Sequence, residues 1–365
     1  MLRKNSSFSS TSQDTGFFDI VIGNPPYGAK LSSQEKKYFR DHYKSVKTIK
    51  GVQKGSLDSF SIFIENGYNL LRLNGQLNFI VSMAFASSDS MIGLHKLLFS
   101  NCKQIKVSSY AKRPRQIFRN ACIATSILSL IKTNTQCEVL LTSKLNRWKK
   151  GIALQELIDE LAFTNSIDFC LPGRLPKIGL EIEKSILKKL FLCDNFPINN
   201  LLRKKGKPVY YRTSGGRYFN VITNYSTGST KEKAIIFENS LRNSIGAILS
   251  SNLFYWYQQV YSNTLDLKSY EITSFPIPVK RLTIEKINFI EVLYKKYLQD
   301  IEKNAMSHTT ENYVHIDSYK EYIIRKSKQL IDEIDDLICP LYGLTSEEIE
   351  FIKNYEKEFR ITDKD

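Results

Sequence analysis

A short apolar run, Phe17 to Ile22, ends at Gly23 and passes directly into Asn24-Pro25-Pro26-Tyr27. No other stretch constrains the fold as strongly. A short apolar run of this length reads as a buried strand. Two successive prolines fix φ and remove two N–H donors, so neither a sheet ladder nor a helix interior continues through them. The chain must leave the sheet in a stiff corner at the strand's carboxyl end, where open α/β sheets bind ligands. There the Asn24 side-chain oxygen and the Pro25 carbonyl can both accept from one exocyclic amino group. Holding both amino hydrogens directs the nitrogen lone pair at an electrophile. Tyr27 offers a flat face for a planar ring, a contact worth about 1–3 kcal/mol per base. A duplex hides such an amino group, so the base must first be flipped out. The plain alternative is a proline-stiffened turn with a core tyrosine.

The chain has 365 residues, 52 Lys plus Arg against 37 Asp plus Glu, and a net charge of +15. That excess favours polyanions. It is uneven: +12 over residues 1–160, +8 over 161–280 and −5 over 281–365. A lysine-rich solvated surface is the alternative reading. With 42% hydrophobic residues the chain has enough apolar side chain for a real core, which excludes disorder as its main state. No apolar stretch reaches the length of a membrane helix, and the first residues lack an apolar signal core, so a cytoplasmic location is expected. The six cysteines form no Cys-x-x-Cys pair and the four histidines no His-x-x-x-His pair, so no metal site is expected.

Periodicity predicts a helix from Ser59 to Leu73, a strand from Gln76 to Met83, a helix over 89–101, and strands at Ile105–Tyr110 and Ile123–Ile131. Alternating strands and helices imply a parallel, partial doubly wound sheet, Rossmann-like in plan. Residues 28–56 are polar and lysine-rich and read as a long loop. The expected organisation is a disordered leader (1–15), a partial catalytic α/β domain (16–148), an α+β domain (150–280), and a helical segment (281–365). That segment has helices over 282–303 and 316–338, and a last helix opened by a Thr345/Glu348 capping box.

Phe18-Asp19-Ile20-Val21-Ile22-Gly23-Asn24-Pro25-Pro26-Tyr27 resembles the catalytic motif, with its leading strand, of the gamma-class DNA adenine-N6 methyltransferases, particularly those fused to restriction enzymes. Asp58-Ser59-Phe60-Ser61-Ile62-Phe63-Ile64-Glu65 is similar to the family's next motif, departing at Ser59 and at Phe60. The resemblance implies S-adenosylmethionine as cofactor, with Asp19 and Phe63 beside it. It also implies Asn24, Pro25, Pro26 and Tyr27 as the catalytic corner, and Phe118 stacking on the other face of the flipped base. Tyr211 to Tyr218, Leu253 to Tyr257 and Ser274 to Pro278 resemble the family's target-recognition domain, with Arg212 and Arg217 as DNA contacts. Taken bare, Phe63 is a helix core residue, Phe118 a hydrophobic anchor, and Phe254–Tyr257 a packing cluster. The family places its cofactor-binding half, with a Phe-x-Gly-x-Gly loop, before the catalytic motif. Only 23 residues precede Asn24, so the expectation is a truncated or split enzyme whose cofactor half comes from a partner chain.

The function so implied is site-specific methylation of adenine N6 in double-stranded DNA, within a restriction-modification or phage-defence system. The alternatives are a non-catalytic DNA-recognition subunit, or a methyltransferase acting on RNA or on a protein amide.

Overall fold

A computed structural model describes residues 16–47, 57–119, 121–192, 194–214, 218–312 and 315–361. The expected leader, residues 1–15, lies outside them. The chain divides into two compact units, residues 1–180 and 181–365.

The first unit is built on a six-stranded mixed sheet. Its strands are β1 (Phe18–Gly23), β2 (Leu71–Ser82), β3 (Cys102–Tyr110), β4 (Thr125–Lys132), β5 (Val139–Asn146) and β6 (Thr164–Asn165). Their spatial order is β1-β2-β4-β3-β5-β6. β1 runs parallel to β2 and β3 parallel to β5, as a doubly wound sheet requires. β4 departs from that expectation: it runs antiparallel to both β2 and β3. The cause is legible in the connection, since the described residues from Ala111 to Ala124 carry no helix, and only an antiparallel partner can be reached without a crossover.

Helices α1 (Ser33–His42), α2 (Ser59–Leu70), α3 (Ala84–Ser87) and α4 (Ile92–Phe99) complete this part of the unit. α2 and α4 pack over one sheet face. Phe60 and Ile64 from α2 and Leu94 and Leu98 from α4 meet Leu77, Phe79, Val107, Leu128 and Leu140, all but fully buried. These strand residues recur at every second position, as one face of a pleated sheet demands. α2 ends at Leu70, earlier than the expected Leu73, because the chain turns straight into β2. The β1–β2 register then slips between Phe18 and Ile20, and Asn74, at φ 62°, absorbs the extra residues beside Gly75. A Cβ on Gly75 would lie 2.9 Å from the Phe18 carbonyl oxygen, so only glycine fits there.

The polar stretch expected as loop contains α1. Ser32 accepts from the Glu35 backbone N–H, and the Ser32 N–H donates back to Glu35 Oε2 at 2.7 Å, a complete capping box. Residues 48–56 of that stretch lie outside the described set. Residues 151–180 also belong to the first unit, thirty residues beyond the expected boundary. They return to the sheet through β6, and the Thr142 hydroxyl donates to the Ile178 carbonyl at 2.9 Å.

The second unit holds a three-stranded sheet from β7 (Lys207–Arg212), β8 (Ile222–Thr223) and β9 (Glu232–Phe237), with β7 at the centre. Around it lie α5 (Glu181–Leu190), α6 (Arg242–Ser250), α7 (Asn252–Tyr261), α8 (Ile284–Lys303), α9 (Lys328–Ile338) and α10 (Ser346–Asn354). The residues expected as a separate helical segment therefore join 181–280 in one unit. The helix expected over 316–338 is only half present. Ala305–Asn312 (β10) and His315–Tyr322 (β11) form an antiparallel hairpin, and helix begins at Lys328 as α9. α10 opens on the expected capping box, Thr345 accepting from the Glu348 N–H. Phe254, Trp256 and Tyr257 are completely buried, so that aromatic cluster is packing.

Candidate active site

β1 positions the corner. Gly23, its last residue, sits in register with Phe79, and a Cβ there would come within 2.9 Å of the Phe79 ring. Beyond it Asn24 is exposed, Pro25 buried, Pro26 exposed and Tyr27 half-buried against the core. The Tyr27 hydroxyl lies 2.6 Å from Asn24 Oδ1 and 2.9 Å from the Ile80 carbonyl oxygen. One phenolic hydrogen is shared between two acceptors, so the hydroxyl fixes the Asn24 carboxamide against the neighbouring strand. Burial pushes the Tyr27 phenol above its ordinary value, which keeps it a donor. The Pro26 carbonyl accepts from Ser59 Oγ at 2.7 Å, which ties the corner to the first turn of α2. Burial also raises the Asp58 carboxyl just before that turn.

The structure brings Asn24, Tyr27 and Phe118 together. With Arg119 and Ala121 they line an open pocket of about 350 Å³, at the small end of ligand-site volumes. Phe118 lies on the segment between β3 and β4, and β4 begins beside the end of β2, so this segment leaves the sheet at the same rim as the corner. Arg119, Ala121 and Ser59 were missed in the sequence. Ser59 had a signal, as a hydroxyl at the first helical position, but its partner lies 33 residues away.

Asp19 and Phe63 do not reach this pocket's lining. Asp19 pairs with Arg72, both side chains about two-thirds exposed, and Phe63 is 45% exposed on α2. Asp19 lies on β1 and Phe63 on α2 beside it; among the described residues β1 is an outermost strand of the sheet. Phe18, Ile20 and Ile22 on that strand are 50, 58 and 77% exposed. Among the described residues β1 pairs with β2 alone, and an apolar edge strand of that kind is a liability unless covered. Asp19 and Phe63 could serve as one flank of a cofactor site there, not as an enclosed one.

In the second unit Arg212 is tied inward. Its Nε donates to Thr227 Oγ1 at 3.1 Å and its Nη1 to the Lys320 carbonyl at 2.9 Å, and its guanidinium lies 4.8 Å from the Tyr322 ring centre. Arg217 lies outside the described residues. Among the described residues no group of three or more His, Cys, Asp or Glu side chains could hold a metal ion, and no helix is long and apolar enough to cross a membrane.

Known proteins match the same region. The chain is 34% identical over 131 residues to the type II methyltransferase M.HincII of Haemophilus influenzae, covering 35% of this chain and 24% of that protein. It is 25% identical over 211 residues to the type II restriction enzyme and methyltransferase RM.Eco57I of Escherichia coli, covering 55% of this chain and 19% of that one. The chain thus spans about a quarter or less of the length of these relatives. Among solved structures, the type IIL restriction-modification enzyme MmeI in complex with DNA aligns with 93% of this chain and 57% of its own, at 11% identity and a TM-score of 0.46. Residues 1–118 match the family described as Eco57I restriction-modification methylase, and the stretch matched holds β1, the Asn24–Tyr27 corner and Phe118. Over those residues the chain is similar to an Eco57I-type restriction-modification methylase domain.

Proposed function

We propose that the chain carries the catalytic corner and the target-recognition part of a site-specific DNA methyltransferase, acting on adenine N6 with S-adenosylmethionine within a restriction-modification or phage-defence system. The observation that carries this is the shared pocket: Phe118, distant in sequence from the Asn24–Tyr27 corner, lines one open pocket of about 350 Å³ with Asn24 and Tyr27. The methyl donor supplies an electrophilic methyl group, and the chain's own residues supply position. Asn24 Oδ1 has two lone pairs, so it accepts from Tyr27 and from one amino hydrogen at once. The Pro25 carbonyl takes the second hydrogen. The base lies between Tyr27 and Phe118, and the amino lone pair points out of the corner. Positioning of this kind is the main source of rate.

In this reading Arg212 serves recognition indirectly, by holding β7 to the β10–β11 hairpin, while Arg217 is a candidate for direct contact. The bare edge of β1 supports a further component: a partner segment adds strands beside β1 and closes the cofactor site over Asp19 and Phe63. The test is transfer of a tritiated methyl group to mixed-sequence duplex DNA, with and without an added cofactor-binding segment from a relative. Label in DNA adenine that disappears in Asn24→Ala supports the proposal. Label in RNA or protein, or full-rate labelling by Asn24→Ala, refutes it. Duplex binding without labelling under any condition assigns the chain a recognition role alone.

A further inference from the structure

The structure carries a second charged feature that Arg212 and Arg217 do not include. Between positions 90 and 155 the sequence has twelve Lys and Arg residues and one acidic residue, Glu138. The sheet sorts these charges. β3 and β5 are parallel and end together, Tyr110 in register with Asn146, so the segments that follow them leave from one rim. That rim also holds the Asn24–Tyr27 corner, because β1 and β2 end on it and β4 starts from it. Glu138 directly precedes β5 and therefore lies at the opposite rim.

The two segments are pinned to each other. The Ala111 N–H donates to the Asn146 carbonyl at 2.9 Å, and Arg147 Nη1 donates to the Arg113 carbonyl at 3.3 Å. The Arg115 guanidinium lies 3.7 Å from the centre of the Trp148 ring, and these two residues also form a backbone bridge. Arg113, Arg115, Arg119, Lys149 and Lys150 are exposed along this framework, and Arg119 lines the pocket itself. Asp89, on the segment after β2, is engaged by Arg174 at 2.6 Å.

We infer that the loops after β3 and β5 form a phosphate shelf, which grips the backbone of duplex DNA beside the base pocket independently of the second unit. Arg115 and Arg147, whose side chains are held, lose less freedom on binding than unheld cations, and a guanidinium on an aromatic face keeps its edge donors available to a phosphate. The inference rests on the DNA reading of the pocket.

The test measures duplex binding by the whole chain across a salt series, using a mixed-sequence oligonucleotide. The variant Arg113→Gln/Lys149→Gln/Lys150→Gln removes three exposed charges from the shelf. The variant Lys286→Gln/Lys295→Gln/Lys296→Gln removes three exposed charges from α8. Each phosphate contact contributes about 0.9 to the slope of log affinity against log salt, so the shelf variant should lose about 2 to 3 from that slope, equally for every duplex sequence. The α8 variant should keep the wild-type slope. An unchanged slope in the shelf variant overturns the shelf while leaving the DNA reading intact. Equal losses in both variants reduce it to net charge and overturn it too. A wild-type chain that prefers an RNA duplex, or binds no duplex, overturns both readings.

Discussion

Ser59 Oγ donates to the Pro26 carbonyl oxygen at 2.7 Å, and this bond joins the corner to α2. Ser59 is 5% exposed, so water cannot replace it freely. In Ser59→Ala the carbonyl of the exposed Pro26 loses its hydroxyl donor, at a net cost of about 0.5–1.5 kcal/mol. Urea unfolding should show a loss of that order. Methyl transfer should fall further than stability predicts, because the corner loses its anchor. A variant with wild-type rate and midpoint would show that the diprolines alone fix the turn.

Tyr27 is assigned two jobs, and two substitutions separate them. Tyr27→Phe keeps the flat ring and loses the hydroxyl that holds Asn24 Oδ1. One such bond is worth about 0.5–1.5 kcal/mol net, so the rate constant for transfer should fall about 3- to 10-fold. Tyr27→Ala also removes the stack, a further 1–3 kcal/mol or so, and should cost about 5- to 150-fold more. Equal rates for the two variants, measured in single-turnover transfer, would remove stacking from the account.

How far the sequence reveals this architecture varies with the range of the interaction that decides each element. β1 as a strand and its corner are legible because an apolar run and two prolines act locally, but the burial expected of that strand is not met, since Phe18, Ile20 and Ile22 are exposed. The pocket is partly legible: Phe118 is reachable through motif order, whereas Arg119 and the Ile80 carbonyl depend on where strands end in space. β5 is not legible, because Thr142, Ser143 and Lys144 interrupt its apolar pattern and its place is set by pairing with β3. The β10–β11 hairpin is hidden for the same reason, since Ile316, Tyr319 and Ile323 also satisfy a helical spacing. α1 was legible in principle, through Ser32 and Glu35, but its ten residues bury none of their side chains and show no apolar face.

Acid should loosen the first unit before the second. His95 on α4 is buried, its Nε2 2.7 Å from the Phe85 carbonyl oxygen, and burial lowers its pKa to about 4. The unfolded chain takes up that proton near pH 6.5, so between 6.5 and 4 the unfolded state binds more protons and stability falls with pH. The slope approaches about 1.4 kcal/mol per unit, or about 3 kcal/mol across the window. Glu271 and Asp335 in the second unit have the opposite sign. Burial raises them to about 7 and about 6, so their contribution is present at low pH and lost as pH rises through those values. Limited proteolysis at pH 5 should therefore cut the first unit first, and His95→Gln should flatten the difference. Cleavage that begins in the second unit would contradict this assignment.

The edge of β1 makes the last expectation. Ile20 and Ile22 are exposed on β1, which among the described residues is an outermost strand paired with β2 alone. Such an edge accepts a further strand from any chain that offers one, a second copy included. Alone at rising concentration, the protein should self-associate in sedimentation runs. Ile20→Lys/Ile22→Lys places charge on the exposed edge and should return it to monomer without moving its unfolding midpoint, since neither side chain is buried. The same variant should no longer gain methyl transfer from an added cofactor-binding segment, because that segment would dock on the same strand. If it transfers as well as the wild type does with that segment present, the cofactor half meets the chain elsewhere.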